Sequence, residues 1–108
     1  EKDINKVTAI SGSGPGYIFL LFDAFEKAAL KLGLNKKDSR DLVYQTFFGS
    51  IELLLKNNNS ALKLAQNIAV SGGTTEAAFK VFLDKKILHK TFERAINAAH
   101  KKSIKLSK

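Results

Sequence analysis

Apolar residues in this chain recur three and four positions apart, and alternation at two is never sustained, so every substantial segment reads as α-helix. Two of these helices are apolar on nearly every side. One, from about Gly16 to Leu32, carries Ile18, Phe19, Leu20, Leu21, Phe22, Ala24, Phe25, Ala28, Ala29 and Leu30. The other runs to about Lys56 and carries Leu42, Val43, Phe47, Phe48, Ile51, Leu53, Leu54 and Leu55. A helix that is apolar all round has to be buried all round. The 108 residues make a single domain, too small to enclose two such helices with the remaining chain. The surplus apolar face therefore predicts a partner chain. Burying three extra Phe or Leu side chains would contribute roughly 5 to 9 kcal/mol before the costs of association. We expect an all-α bundle of about five helices forming an intertwined homodimer, its long helices paired at the centre.

Local signals set the expected boundaries. Ser11-Gly12-Ser13-Gly14-Pro15-Gly16 reads as a loop, with Pro15 pre-organised for a first helical turn. Gly33 is placed to end the first long helix as its C′ residue. Asn35-Lys36-Lys37-Asp38 resembles a capping box with Asp in place of Glu, and opens the second. Asn57-Asn58-Asn59 breaks the chain, because side-chain amides compete with helical hydrogen bonds. Ser60 then caps a short third helix to about Ala69. A fourth is expected over Thr75 to Lys85, and a fifth over about Leu88 to Ile104 with Phe92, Ala95, Ile96 and Ala99 on one stripe.

Composition narrows the function classes. Cysteine is absent, which excludes disulfides and thiolate metal sites and favours an intracellular, cytoplasmic setting. His89 and His100 are three turns apart, about 16 Å of rise, and cannot share a metal ion. The apolar run from Tyr17 to Phe22 ends at Asp23, far short of the roughly 20 residues of a membrane span. No secretory signal is visible, and a chain that neither starts with Met nor contains one reads as a piece of a longer protein. The net charge of +8 raises the possibility of nucleic-acid binding. Against that, Lys27, Lys31, Lys56, Lys63, Lys80 and Lys90 are spread over helix surfaces, arginine occurs only as Arg40 and Arg94, and only 101–105 approaches a cluster.

Val70-Ser71-Gly72-Gly73-Thr74-Thr75 runs straight into the apolar pattern of the fourth helix. Backbone N–H groups at a helix start lack intrahelical partners and carry the positive end of the helix dipole, so this stretch is a natural seat for a carboxylate or phosphate. The same residues also make an ordinary Thr N-cap with glycine spacers. Gly12, Gly14 and Gly16 superficially resemble a dinucleotide fingerprint. Their spacing departs from G-x-G-x-x-G, and only Val7-Thr8-Ala9-Ile10 is available as a preceding strand, so no self-contained dinucleotide site can be assembled. Asp23, Glu26, Asp38, Asp41, Glu52 and Glu93 sit at helix-surface spacings, and Tyr17 and Tyr44 read as core or interface aromatics.

Together, the stretch Val7 to Tyr17, with its Ser11-Gly12-Ser13-Gly14-Pro15, and the stretch Gly72 to Ala77 resemble the two hallmark motifs of the C-terminal domain of pyrroline-5-carboxylate reductase. Lys31-Leu32-Gly33-Leu34 and Gln45-Thr46-Phe47-Phe48-Gly49-Ser50 are similar to that family too, so the likeness covers nearly all of residues 1–108. The resemblance implies a dimerisation and substrate-binding domain that forms a domain-swapped homodimer, often assembled into a decamer. It further implies a reductase moving hydride from NADPH or NADH onto the cyclic imine of 1-pyrroline-5-carboxylate to make L-proline. The family's dinucleotide sits mainly on an N-terminal Rossmann domain outside this chain, so the chain alone is expected to be inactive.

Carried over by position, the substrate-carboxylate site is Val70, Ser71, Gly72, Gly73, Thr74 and Thr75, with an amide from Asn67. The Thr75 hydroxyl is the leading catalytic contact. Ser11, Gly12, Ser13, Gly14 and Pro15 would line the cleft beside the nicotinamide, and no metal is implied. The family commonly has Ser-Pro before the two glycines where this chain has Val70-Ser71, so one hydroxyl is lost and another replaces proline. Two readings from other classes stay open: a small basic helical module for nucleic acid or an acidic partner, and a purely structural oligomerisation domain.

Overall fold

The structure, a computed structural model, describes residues 2–71 and 73–108, without the side chains at 2, 70 and 71. The described residues are helical almost throughout and contain no strand. In chain order they form α1 (Lys2–Val7), a π-helical turn (Thr8–Gly12), α2 (Gly14–Lys31), α3 (Lys36–Lys56), α4 (Ala61–Ser71), α5 (Gly73–Phe82), a 3₁₀ turn (Asp84–Lys86) and α6 (Ile87–Leu106). The chain divides into two compact units, one of residues 16–65 and one of residues 1–15 with 66–108.

In the 16–65 unit the expected caps form. Gly33 has φ +107°, its N–H donates to Leu30 O at 3.0 Å, and the Leu34 N–H reaches Ala29 O at 3.4 Å. That pair of bonds is a Schellman motif, which satisfies carbonyls orphaned at the end of α2. Two residues later Asn35 caps α3: its Oδ1 accepts from the Asp38 N–H at 2.7 Å, while its Nδ2 donates to Asp38 Oδ2 at 3.1 Å. Ser60 Oγ likewise accepts from the Lys63 N–H at 3.1 Å and caps α4.

Aromatic rings fill the space between α2 and α3. Phe22 stacks on Phe47 with centroids 4.0 Å apart, and edge contacts join Phe22 to Tyr44 and Phe25 to Phe47 at 5.3 and 5.9 Å. Val43 is buried beneath them, as is Ser39, whose hydroxyl has no hydrogen-bond partner among the described residues. Much of the apolar surface is left outside: Phe19 and Leu20 are each 70% exposed, Phe48 62% and Leu55 82%. The surplus predicted from the sequence is present on the single chain. Exposed ion pairs Asp23–Lys27 and Lys37–Asp41 lie on the same helices, and the Asp41 carboxylate holds the Lys37 ammonium above its ordinary range by hydrogen bond and charge.

In the other unit α6 lies against α1 and the π-helical turn. Ala9 is buried there, and Ser103 Oγ donates to Asn5 Oδ1 at 2.7 Å across 98 positions of sequence. Val7–Ile10, the one stretch available as a strand, is helical: Val7 ends α1, and an i to i−5 bond, Ser13 N–H to Thr8 O at 2.8 Å, closes a π turn over the residues after it. Two expectations are corrected. The Ser11–Gly16 loop shrinks to the bend at Ser13, since α2 already begins at Gly14. The fourth helix is Gly73–Phe82 rather than Thr75–Lys85: Lys85 and Lys86 have φ of 52° and 58°, a left-handed geometry in which no α-helix continues.

Two measurements check these assignments. Replacing Gly33 with Ala keeps every contact but forces a Cβ onto a left-handed backbone, so urea unfolding is expected to show a loss of about 1 to 2 kcal/mol. In a double-mutant cycle, Asn5→Ala and Ser103→Ala are expected to be non-additive by about 0.5 to 1.5 kcal/mol, the net worth of one part-buried hydrogen bond. Strict additivity would remove that bond from the account of how α1 meets α6.

Candidate functional site

Both sequence-predicted stretches fall in the unit formed by residues 1–15 and 66–108. Ser11 sits in the last turn of the π-helical segment, with its hydroxyl donating to Val7 O at 3.1 Å, and Thr8 makes the equivalent bond to Ile4 O at 2.9 Å. A π turn widens the helix and leaves backbone groups out of the regular ladder, which is why such turns recur at functional sites. Gly12 lies close to Thr8, where an added Cβ would stand 3.5 Å from the threonine methyl. Ser13 is half-buried and forms the bend between the π-helical turn and α2.

Gly14 and Pro15 then form the first turn of α2, and proline costs nothing there because its missing N–H would have had no helical acceptor. Gly14 and Gly16 have nothing within 4 Å of the position a Cβ would take.

The second stretch starts α5. Gly73, Thr74 and Thr75 are the first three residues described in it, and Gly72 before them lies outside the described residues. The Thr N-cap reading is corrected: Gly73, Thr74 and Thr75 are all helical, and an N-cap residue is not. Thr75 is half-buried while Gly73 and Thr74 are exposed. Val70 and Ser71 complete α4, their side chains lying outside the described residues, and Asn67 stands one turn earlier on the exposed side of that helix.

An anion seat here requires a helix start at these residues, since only there are backbone dipoles and N–H groups left for a ligand. Among the described residues no three His, Asp or Glu side chains are grouped so as to hold a metal ion. No helix of the described residues is long and apolar enough to cross a membrane.

Asn5 and Ser103 were not singled out by sequence. They tie α6 to the helix leading into the π turn, and nothing in local spacing signals a contact between residues so distant in the chain. The π turn itself was equally invisible, because Thr8-Ala9-Ile10-Ser11-Gly12 carries neither a helical cap nor a strand alternation.

Comparison with known proteins fits this geometry. The model of the family described as pyrroline-5-carboxylate reductase dimerisation matches residues 1–106. Pyrroline-5-carboxylate reductase 2 of Bacillus subtilis is 41% identical over 96 residues, covering 89% of this chain and 33% of the relative. The reductase of Haemophilus influenzae is 38% identical over 104 residues, covering 95% of this chain and 38% of its own length. Among solved structures, a pyrroline-5-carboxylate reductase from Coxiella burnetii superposes on 100% of this chain and 40% of its own with TM-score 0.92 and 42% identity. That of Plasmodium falciparum, solved with NADP bound, does so on 95% and 39% with TM-score 0.88 and 38% identity. The helical domain and its paired motifs are those of a reductase's dimerisation domain. The chain belongs to the pyrroline-5-carboxylate reductase family and spans between a third and two fifths of the length of these relatives.

Proposed function

We propose that this chain is the dimerisation and substrate-binding part of a reductase that converts 1-pyrroline-5-carboxylate to L-proline. The observation that carries the reading is the match over residues 1–106, with the Ser11–Pro15 and Gly73–Thr75 motifs in one compact unit. The substrate carboxylate would be received by the N–H groups of Gly73, Thr74 and Thr75, helped by the Thr75 hydroxyl, Ser71 and the amide of Asn67. The nearby dipole neutralises its charge and fixes the ring by one end.

A nicotinamide dinucleotide, NADP or NAD, supplies the hydride in this reading, and its main binding fold would belong to a separate N-terminal domain. In this reading Ser11, Gly12, Ser13, Gly14 and Pro15 would line the cleft beside the nicotinamide, and among the described residues nothing stands within 4 Å of the position a Cβ would take at Gly14. This chain's contribution is alignment and charge neutralisation, which suffices for attack on an iminium carbon once donor and acceptor are held close.

The exposed apolar side chains Phe19, Leu20, Phe48 and Leu55 support an intertwined, domain-swapped homodimer, with a decamer as a further stage of the same assembly. A basic nucleic-acid module and a purely structural oligomerisation domain both account less well for the paired motifs.

Two experiments test the reading. Light scattering after size exclusion is expected to give twice the mass of one chain, or ten times it, independent of salt; Phe19→Glu with Leu20→Glu should shift it toward monomer, and a clean wild-type monomer would overturn the dimer. For the site, titration calorimetry with L-proline is expected to show binding that Thr75→Ala weakens about 10- to 150-fold, the worth of a hydrogen bond to a charged group. Steady imine-dependent oxidation of NADPH by this chain alone would contradict the division of labour between domains.

A further inference from the structure

Viewed down the axis of α6, its charges are sorted by side. At 100° per residue, Lys90, Arg94, Lys101 and Lys105 fall within about 60° of arc. All four are exposed, and none takes part in an ion pair with any described residue. The one acidic residue of the helix, Glu93, lies to the flank of the stripe. Lys108, just past the helix end, continues the line.

The opposite side of α6 is already occupied. Leu88, Phe92, Ile96, Ala99 and Ser103 are half-buried, and this is the side from which Ser103 reaches Asn5. Sequence spacing alone had these cations scattered; the helix gathers them into a row about 22 Å long, with neighbours about 6 Å apart at each end.

We propose that this row binds the phosphate backbone of nucleic acid without reading its sequence, an activity beyond the reductase role. Charge complementarity carries the choice of partner. Duplex DNA presents one negative charge per about 1.7 Å of axis, so a row of this length meets several phosphates at once and gains from counterion release. The row holds a single arginine and no aromatic ring, so it has little with which to stack on bases or read their edges. An anionic membrane is the poorer partner, because an interfacial helix inserts its apolar face and that face of α6 is committed to α1 and the π turn.

The test is fluorescence anisotropy of a labelled 20-base-pair duplex with the full chain. Four phosphate contacts predict a salt slope near −3.6, so affinity should fall about 100-fold between 50 and 200 mM salt. The variant K90Q/R94Q/K101Q/K105Q keeps good helix formers and should weaken binding at least 30-fold and flatten the slope. A control, K31Q/K36Q/K56Q/K63Q, removes the same charge elsewhere and should cost less than threefold, with circular dichroism and light scattering verifying that both variants keep fold and assembly. Equal losses in the two variants would assign binding to net charge and overturn the proposal. So would no wild-type binding at 50 mM salt, or capture by phosphatidylserine vesicles in place of the duplex.

Discussion

The stack of Phe22 on Phe47, 4.0 Å between centroids, sets the spacing of the two long helices, and most of what the 16–65 unit does follows from it. With Tyr44 and Phe25 on its edges, this cluster spends the inner apolar faces of α2 and α3 on each other. Their outer faces keep Phe19, Leu20, Phe48 and Leu55 in contact with water. Within the 16–65 unit nothing resolves that cost, since the link after α3 and the first residues of α4 are too short to cover two helices of 18 and 21 residues. Surplus apolar area on a rigid pair of helices is what a homo-oligomer interface requires.

The other unit serves a different purpose and is built from different interactions. It holds few aromatic contacts and relies on a polar tie, Ser103 to Asn5, with Ala9 tucked beneath α6. Anchoring α1 in this way fixes the π turn that follows it, and the π turn in turn sets where Ser11 and Ser13 stand at the start of α2. In the role proposed for this unit, the stretches Ser11–Pro15 and Gly73–Thr75 would contribute recognition and alignment of a ligand.

Much of the fold was legible because helix caps are local. Gly33 ends α2 in a left-handed conformation that only a residue lacking Cβ adopts cheaply, and Asn35 and Ser60 present side-chain oxygens three residues ahead of the N–H groups they satisfy. The candidate site was legible as motifs but not as geometry. Thr75 reads as a cap in sequence, yet it lies within a helix because Gly73 and Thr74 before it already take helical conformation. The end of α5 was hidden for the opposite reason: Lys85 and Lys86 occupy left-handed backbone, which their sequence does not announce.

What the sequence determined by itself is the helical period, the caps and the excess of apolar surface, all of which depend on residues within a few positions of one another. Tertiary structure alone decided the π turn over Thr8–Gly12, the Asn5–Ser103 tie and which side of α6 is left to solvent. Each of these depends on which face of a helix finds a neighbour, and that choice is made by contacts between segments as much as 98 positions apart.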